Sequence, residues 1–255
     1  MIKFFRKIRQ QLISENQMGK YLKYAIGEIL LVVIGILIAL QINNWNQNRI
    51  DSKLEQDYYC RILEDFKLTQ NLIDTSKKDV RKQIDYGKQI IIDIHKSKKS
   101  KEEILNNWLK FIRLQKFVPN NTSYKDAVSS GNLNLFKDEE IKKSLAIYDA
   151  NLENILTQIN QNRDQVVERS FNINPADFGA QYFDYLKKSL GNEIVALLPD
   201  KDWVHNTESE IFKRFQNDMI LNIALLERHI QHINRIADEM KKPAEILDKK
   251  CNPHD

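Results

Sequence analysis

Hydrophobic and polar positions follow two different rules along this chain. From Ile29 to Leu40 no side chain is polar, and the apolar run extends back to Tyr24 and on to Ile42. About 20 residues at a 1.5 Å rise match a hydrocarbon layer of roughly 30 Å. The apolarity goes all round the helix instead of along one stripe. A transmembrane helix over 24–43 therefore fits better than the core helix of a soluble protein. After Trp45 the pattern changes to stripes. Tyr59, Phe66, Ile73, Val80 and Ile94 recur at multiples of seven, flanked by Leu63, Ile84 and Ile91 and interrupted by Gln70, Lys77 and Gly87. No proline separates Trp45 from Ser97, so one helix is expected to run on to about Lys96, a stalk of roughly 75 Å if unbroken.

Further helices follow from the same periodicity. Ser100 and Glu103 form a capping box ahead of Ile104, Leu105, Trp108, Leu109 and Ile112. Pro119-Asn120-Asn121 breaks the chain, and a short helix near Tyr124–Ser130 ends at Gly131. Asp138 caps a helix with the stripe Ile141, Leu145, Tyr148, Leu152, Ile155, Ile159, Asn162 and Val166, ending near Phe171. Residues 172–205 are mixed, with one short helix expected at Ala180–Leu190. The last long helix starts at Thr207–Glu210 and carries Phe212, Phe215, Met219, Asn222, Leu226, His229, Ile233, Ile236 and Met240. Pro243 is expected to bend or stop it. The steps of four and three are those of a heptad seam. The fold class is all-α: a single N-terminal transmembrane helix followed by an elongated antiparallel helical bundle with coiled-coil-like seams.

Charge fixes the expected orientation. The chain holds 39 basic and 35 acidic residues. Lys3, Arg6, Lys7, Arg9, Lys20 and Lys23 face only Glu15 and Glu28 in the first 45 residues, and the remaining 33 of each sign cancel. The bulk of the chain thus has no electrostatic footprint for nucleic acid. Six basic residues before the apolar run predict a cytoplasmic N-terminus. Tyr21, Tyr24 and Trp45 suit the two interfaces, and no small-residue cleavage site follows, so the segment reads as a signal anchor. The expected domains are a cytoplasmic basic amphipathic segment (1–23), the anchor (24–43), a periplasmic helical domain (44–250) and a tail (251–255). Within the first segment, Ile2, Phe4, Phe5, Ile8, Leu12 and Ile13 fit either a helix lying on the inner leaflet or a solubilising basic flank. Gly and Pro, at 7 and 5, are too few for a turn-rich β fold.

Tyr24–Asn46, reading YAIGEILLVVIGILIALQINNWN after the leader MIKFFRKIRQ, resembles the N-terminal signature of a family of uncharacterised single-pass proteins from Bacteroidetes-type bacteria. The stretch from Tyr124 through SSGNLNLFKDEEIKKSL is similar to that family's middle motif. The resemblance implies an inner-membrane protein with a periplasmic domain and carries no catalytic residues.

Few residues stand out as chemistry. Glu28, inside the apolar zone, either reaches back to the interface and Lys20 or Lys23, or meets another membrane helix. Gly35 and Ala39 permit close helix approach. In Tyr124–Asp138, Tyr124, Ser130, Gly131, Asn132 and Asn134 form a possible partner or pocket surface. The favoured alternative is a helix end whose Leu133, Leu135 and Phe136 plug the bundle. Its serines have no neighbouring base for nucleophilic catalysis. Asn162 and Asn222 interrupt seams and are expected to fix register. His229 reads as a seam histidine beside an exposed His232, and no Glu-x-x-His pattern accompanies them. Cys60 and Cys251 are expected as two separate thiols, with a disulfide open if the domain is exported.

No metal, cofactor or catalytic activity is expected. The function expected is a membrane-anchored periplasmic scaffold or accessory subunit acting through protein–protein contacts, with the lipid bilayer and a protein partner or a second copy as its partners. The alternative is a sensory or ligand-binding ectodomain signalling through a membrane partner.

Overall fold

The computed structural model of the chain describes residues 18–97, 99–113 and 116–252. The amphipathic segment expected around Ile2–Ile13 lies outside them. The described residues form helices joined by loops, without strands, in the order α1 (Met18–Lys96), α2 (Lys101–Ile112), α3 (Thr122–Ser129), a 3-10 turn (Asn132–Leu135), α4 (Glu139–Phe171), α5 (Pro175–Phe178), a second 3-10 turn (Ala180–Tyr182), α6 (Asp184–Leu197) and α7 (Glu210–Cys251). The chain divides into two units after Asp57.

The first unit holds the apolar half of α1. No residue between 22 and 54 is buried. Leu31, Leu37 and Ile38 stand outward on different sides of the helix. Among the described residues this is the one helix long and apolar enough to cross a membrane.

The second unit, from Tyr58, is a bundle of three long helices. Residues 58–96 of α1 are one of those three helices, and α1 runs unbroken to Lys96, the end that the sequence predicts. The stripe residues Tyr59, Leu63, Phe66, Ile73, Val80, Ile84 and Ile94 are all buried. Gln70 is exposed and its neighbour Thr69 takes the inward place, as the drift of a 3.6-residue turn against a seven-residue repeat requires. Gly87, read as a gap in the stripe, is a contact: a Cβ there would lie 2.5 Å from the Phe111 ring. Cys60 pairs with Cys251, and His95 with Gln216, so α7 runs antiparallel to α1. Asn151 meets Glu239 and Arg169 meets Asp218, so α7 is antiparallel to α4 as well.

Local chemistry sets the helix ends. Ser100 and Glu103 make the reciprocal capping box that starts α2. The Asp138 carboxylate accepts from the amides of Glu140 and Ile141 at the start of α4. Asn174 caps α5 ahead of Pro175. α3 is capped from a distance: the Asn121 side chain does not cap it, and Asp65 of α1 accepts from the Ser123 amide at 2.7 Å. Thr69 exchanges hydrogen bonds with the Asn120 backbone one turn on. The Pro-Asn-Asn loop is thereby tied to α1.

Three expectations need correction. The helix placed at Ala180–Leu190 is α6, which starts at Asp184 and continues past a kink at Gly191 (φ 77°) to Leu197. Pro243 does not stop α7, and residue 251, assigned to a tail, is its last residue. Leu247 beyond the proline is fully buried, and that burial holds the helix together where one backbone bond is missing. Finally, the two cysteines are not separate thiols but a disulfide spanning a sequence separation of 191, with Cα atoms 5.4 Å apart.

Candidate functional site

The residues singled out from the sequence fall in three places. On the apolar half of α1, Glu28 is partly covered and shares a shallow recess with Lys23, Tyr24 and Gly27. Gly35 has nothing within 4 Å of a would-be Cβ, and Ala39 is exposed.

The second place is the segment after α3, where plug and polar cluster occur together. Phe136 is buried and meets Tyr59 edge-on at 4.8 Å. Gly131 takes a left-handed conformation (φ 76°) that only glycine adopts without strain. That turn carries Asn132 back so that its amide donates to the Tyr58 hydroxyl at 2.8 Å. Tyr58 in turn donates to Asp126 at 3.0 Å, Arg61 lies over the Tyr58 ring and beside Asp126, and Ser130 donates to the Asp126 carbonyl. Ser130 and Asn132 thus belong to one network centred on Tyr58, whose part the sequence did not show. Tyr124 points into the core instead. Burial and the charge of Asp149 push its phenol above the usual range. Asn134 is exposed and away from the network.

The third place is a cavity of about 240 Å³ between α1, α4, α7 and the segment around Phe117. Val80, Phe117, Ile159, Leu225 and Leu226 give it apolar walls. Asn162 and His229, both named from the sequence, line it. The Asn162 amide nitrogen is shut off from solvent and has no hydrogen-bond partner. His229 stands edge-on to Phe117. Burial, and then the nearby His232, push its pKa down to about 4, so the ring is neutral at neutral pH. Lys82, Lys116 and Arg163 also line the cavity, against the single acid Asp79.

Asn222 is buried with neither amide atom bonded. One detail differs from expectation: His232, expected outside, is buried as well, with Nδ1 unpartnered. Antiparallel pairing sets Asn162 near Leu226 and His229, and no signal in a single seam reveals which polar positions meet across helices. Among the described residues, no three His, Cys, Asp or Glu side chains come together.

A bundle of this kind, built on a helix apolar enough to span a bilayer and closed by one disulfide, defines the class: an all-helical protein with an N-terminal apolar helix. The chain belongs to a family of unknown function (DUF6090), whose model matches residues 28–204. The match covers the apolar helix, the polar cluster at Tyr58 and most of the bundle, and stops before α7. No curated protein and no solved structure matches the chain.

Proposed function

We propose that this is a bacterial inner-membrane protein, anchored through residues 24–43 with its N-terminus in the cytoplasm. Its helical unit stands in the periplasm as a scaffold or accessory subunit that works through protein contacts. The observation that carries the compartment is the Cys60–Cys251 disulfide. Such bonds persist in oxidising spaces and are rare in the cytosol. The basic flank before the apolar run argues for the same orientation. Support for a protein partner comes from α6, which buries no residue and turns Tyr185, Ile194 and Leu197 outward, the last 81% exposed. The reading gives the chain no reaction of its own.

The test has two parts. A periplasm-dependent reporter fused after Asp255 should be active, and the fusion should sediment with membranes; activity confined to a cytosolic reporter would refute the topology. Full-length protein in mild detergent should bring down a stoichiometric partner or a second copy, and Leu197→Lys should weaken that capture. Recovery of monomer alone would refute the scaffold role. A second reading, a ligand-binding ectodomain, is favoured by one observation: the cavity beside Asn162 and His229.

A further inference from the structure

Protein interiors are close-packed, and voids larger than a water molecule are few. The cavity between α1, α4 and α7, at about 240 Å³, exceeds the roughly 150 Å³ of an engineered apolar cavity known to take up benzene. It is not simply a dry gap, because the Asn162 amide nitrogen is buried without an acceptor. A donor held that way has a free-energy reason to find an acceptor.

Which acceptor is set by the charges. Lys82, Lys116 and Arg163 line the cavity with one acid, Asp79. Asp79 lies 3.8 Å from Lys82, and Arg163 lies 3.1 Å from Asp164. Lys116 has no ion-pair partner among the described residues. An amine would therefore meet an excess of like charge, whereas a carboxylate would meet Lys116, which is not already paired, beside the Asn162 amide. The body of the ligand is set by the walls: Val80, Ile159, Leu225 and Leu226 offer only hydrocarbon, and Phe117 a ring.

From this geometry we infer that the cavity is a binding site for a small amphiphilic monocarboxylate. Its apolar body is larger than benzene and lies between α1, α4 and α7, and its carboxylate is held by the Asn162 amide and the Lys116 side of the opening. This names the ligand class for the second reading above and rests on it.

The test uses the full chain in nanodiscs of zwitterionic lipid, with octanoate as probe and octanol and octylamine as comparison compounds. Octanoate should raise the Tm, measured by circular dichroism, by an amount that saturates with concentration, and should do so more than either comparison compound. Ser76→Phe and Val80→Phe, each placing a ring in the cavity, should fold and lose the shift. Asn162→Leu should erase the advantage of octanoate over octanol. Line broadening of octanoate proton signals, measured against empty nanodiscs, reports binding without any variant. A shift as large with octylamine that is lost in the filled variants would leave a ligand site but sink the carboxylate assignment. A shift that survives in both filled variants, or no shift and no broadening beyond empty nanodiscs, would sink the site and the ligand-binding reading together.

Discussion

The two ends of the folded unit are closed by different chemistry. At one end a covalent bond joins the start of the bundle in α1 to the last residue of α7. Around it Lys250 pairs with Asp138 at 2.9 Å, Lys242 with Glu140 at 3.0 Å, and the Tyr58–Asp126–Asn132 network fastens the segment after α3. At the other end there is no covalent link. Trp108, Phe178, Phe183, Trp203 and Phe215 form a continuous cluster of rings, with Phe178 stacked on Trp203 at 5.3 Å, and the Trp203 indole donates to the Phe178 carbonyl. The first end adds a covalent bond to packing such as Phe136 on Tyr59, and the second, with ion pairs such as Lys201–Asp177 at its edge, rests on ring area removed from water. The former is vulnerable to reduction and to loss of one partner, the latter to loss of volume.

Substitutions can break this contrast in order of size. Cys251→Ser, or reduction of the parent, should cost the most, about 5 kcal/mol by loop-entropy reasoning for a separation of 191. Urea unfolding with and without reductant measures it, and Cys251→Ser should be insensitive to reductant. Trp203→Ala at the ring end should cost about 3–5 kcal/mol, because the side chain is almost wholly buried and leaves a cavity. If the two ends unfold as one, both variants will lower a single transition; two transitions would show that the ends are independent.

Acid should act between the two ends, at the cavity. The His229 pKa falls from 6.5 in the unfolded chain to about 4 in the folded one, so protons bind the unfolded chain first. The stability from the neutral ring is complete above about pH 6.5 and is lost as pH falls toward 4, by at most about 3 kcal/mol. His232 is shifted in the same direction by burial and by Arg235 and Arg228. Asp93, Asp138 and Asp200 are held below the usual carboxylate range, so their contributions persist through that window and fade only at lower pH. The urea midpoint followed from pH 7 to 4.5 should therefore fall in the parent and fall less in His229→Leu. Last and smallest, Tyr58→Phe removes the hydroxyl that joins Asp126 and Asn132 and should cost about 1 kcal/mol, read as a shift of the same midpoint.

Much of this architecture was legible from periodicity and end chemistry. The α4 stripe from Ile141 to Val166 is buried apart from the partly covered Asn162, its Asp138 cap is in place, and it ends at Phe171. The Ser100–Glu103 box and the left-handed Gly131 are likewise where the residue types put them. These features depend on neighbours within a few positions. What depends on contacts across helices was not legible. Nothing within one helix tells that Gly87 receives Phe111, that Asp65 caps α3, or that Leu247 keeps α7 intact beyond Pro243. Cys60 and Cys251 carry no local sign of pairing, because their approach follows from α1 and α7 being antiparallel over their full common length. The site shows the same split. Asn162 and His229 stood out as polar residues in apolar seams, but the cavity they share exists only once α4 and α7 are aligned.

The disulfide also orders events during synthesis. Cys60 emerges early, directly after the hydrophobic helix, whereas its partner is made 191 residues later. The thiol at position 60 must therefore wait, reduced or temporarily joined to something else, while α2 through α7 are produced. Ring closure has to follow the synthesis of residue 251, and a polypeptide halted anywhere before it keeps the Cys60 sulfur without the partner it has in the finished molecule.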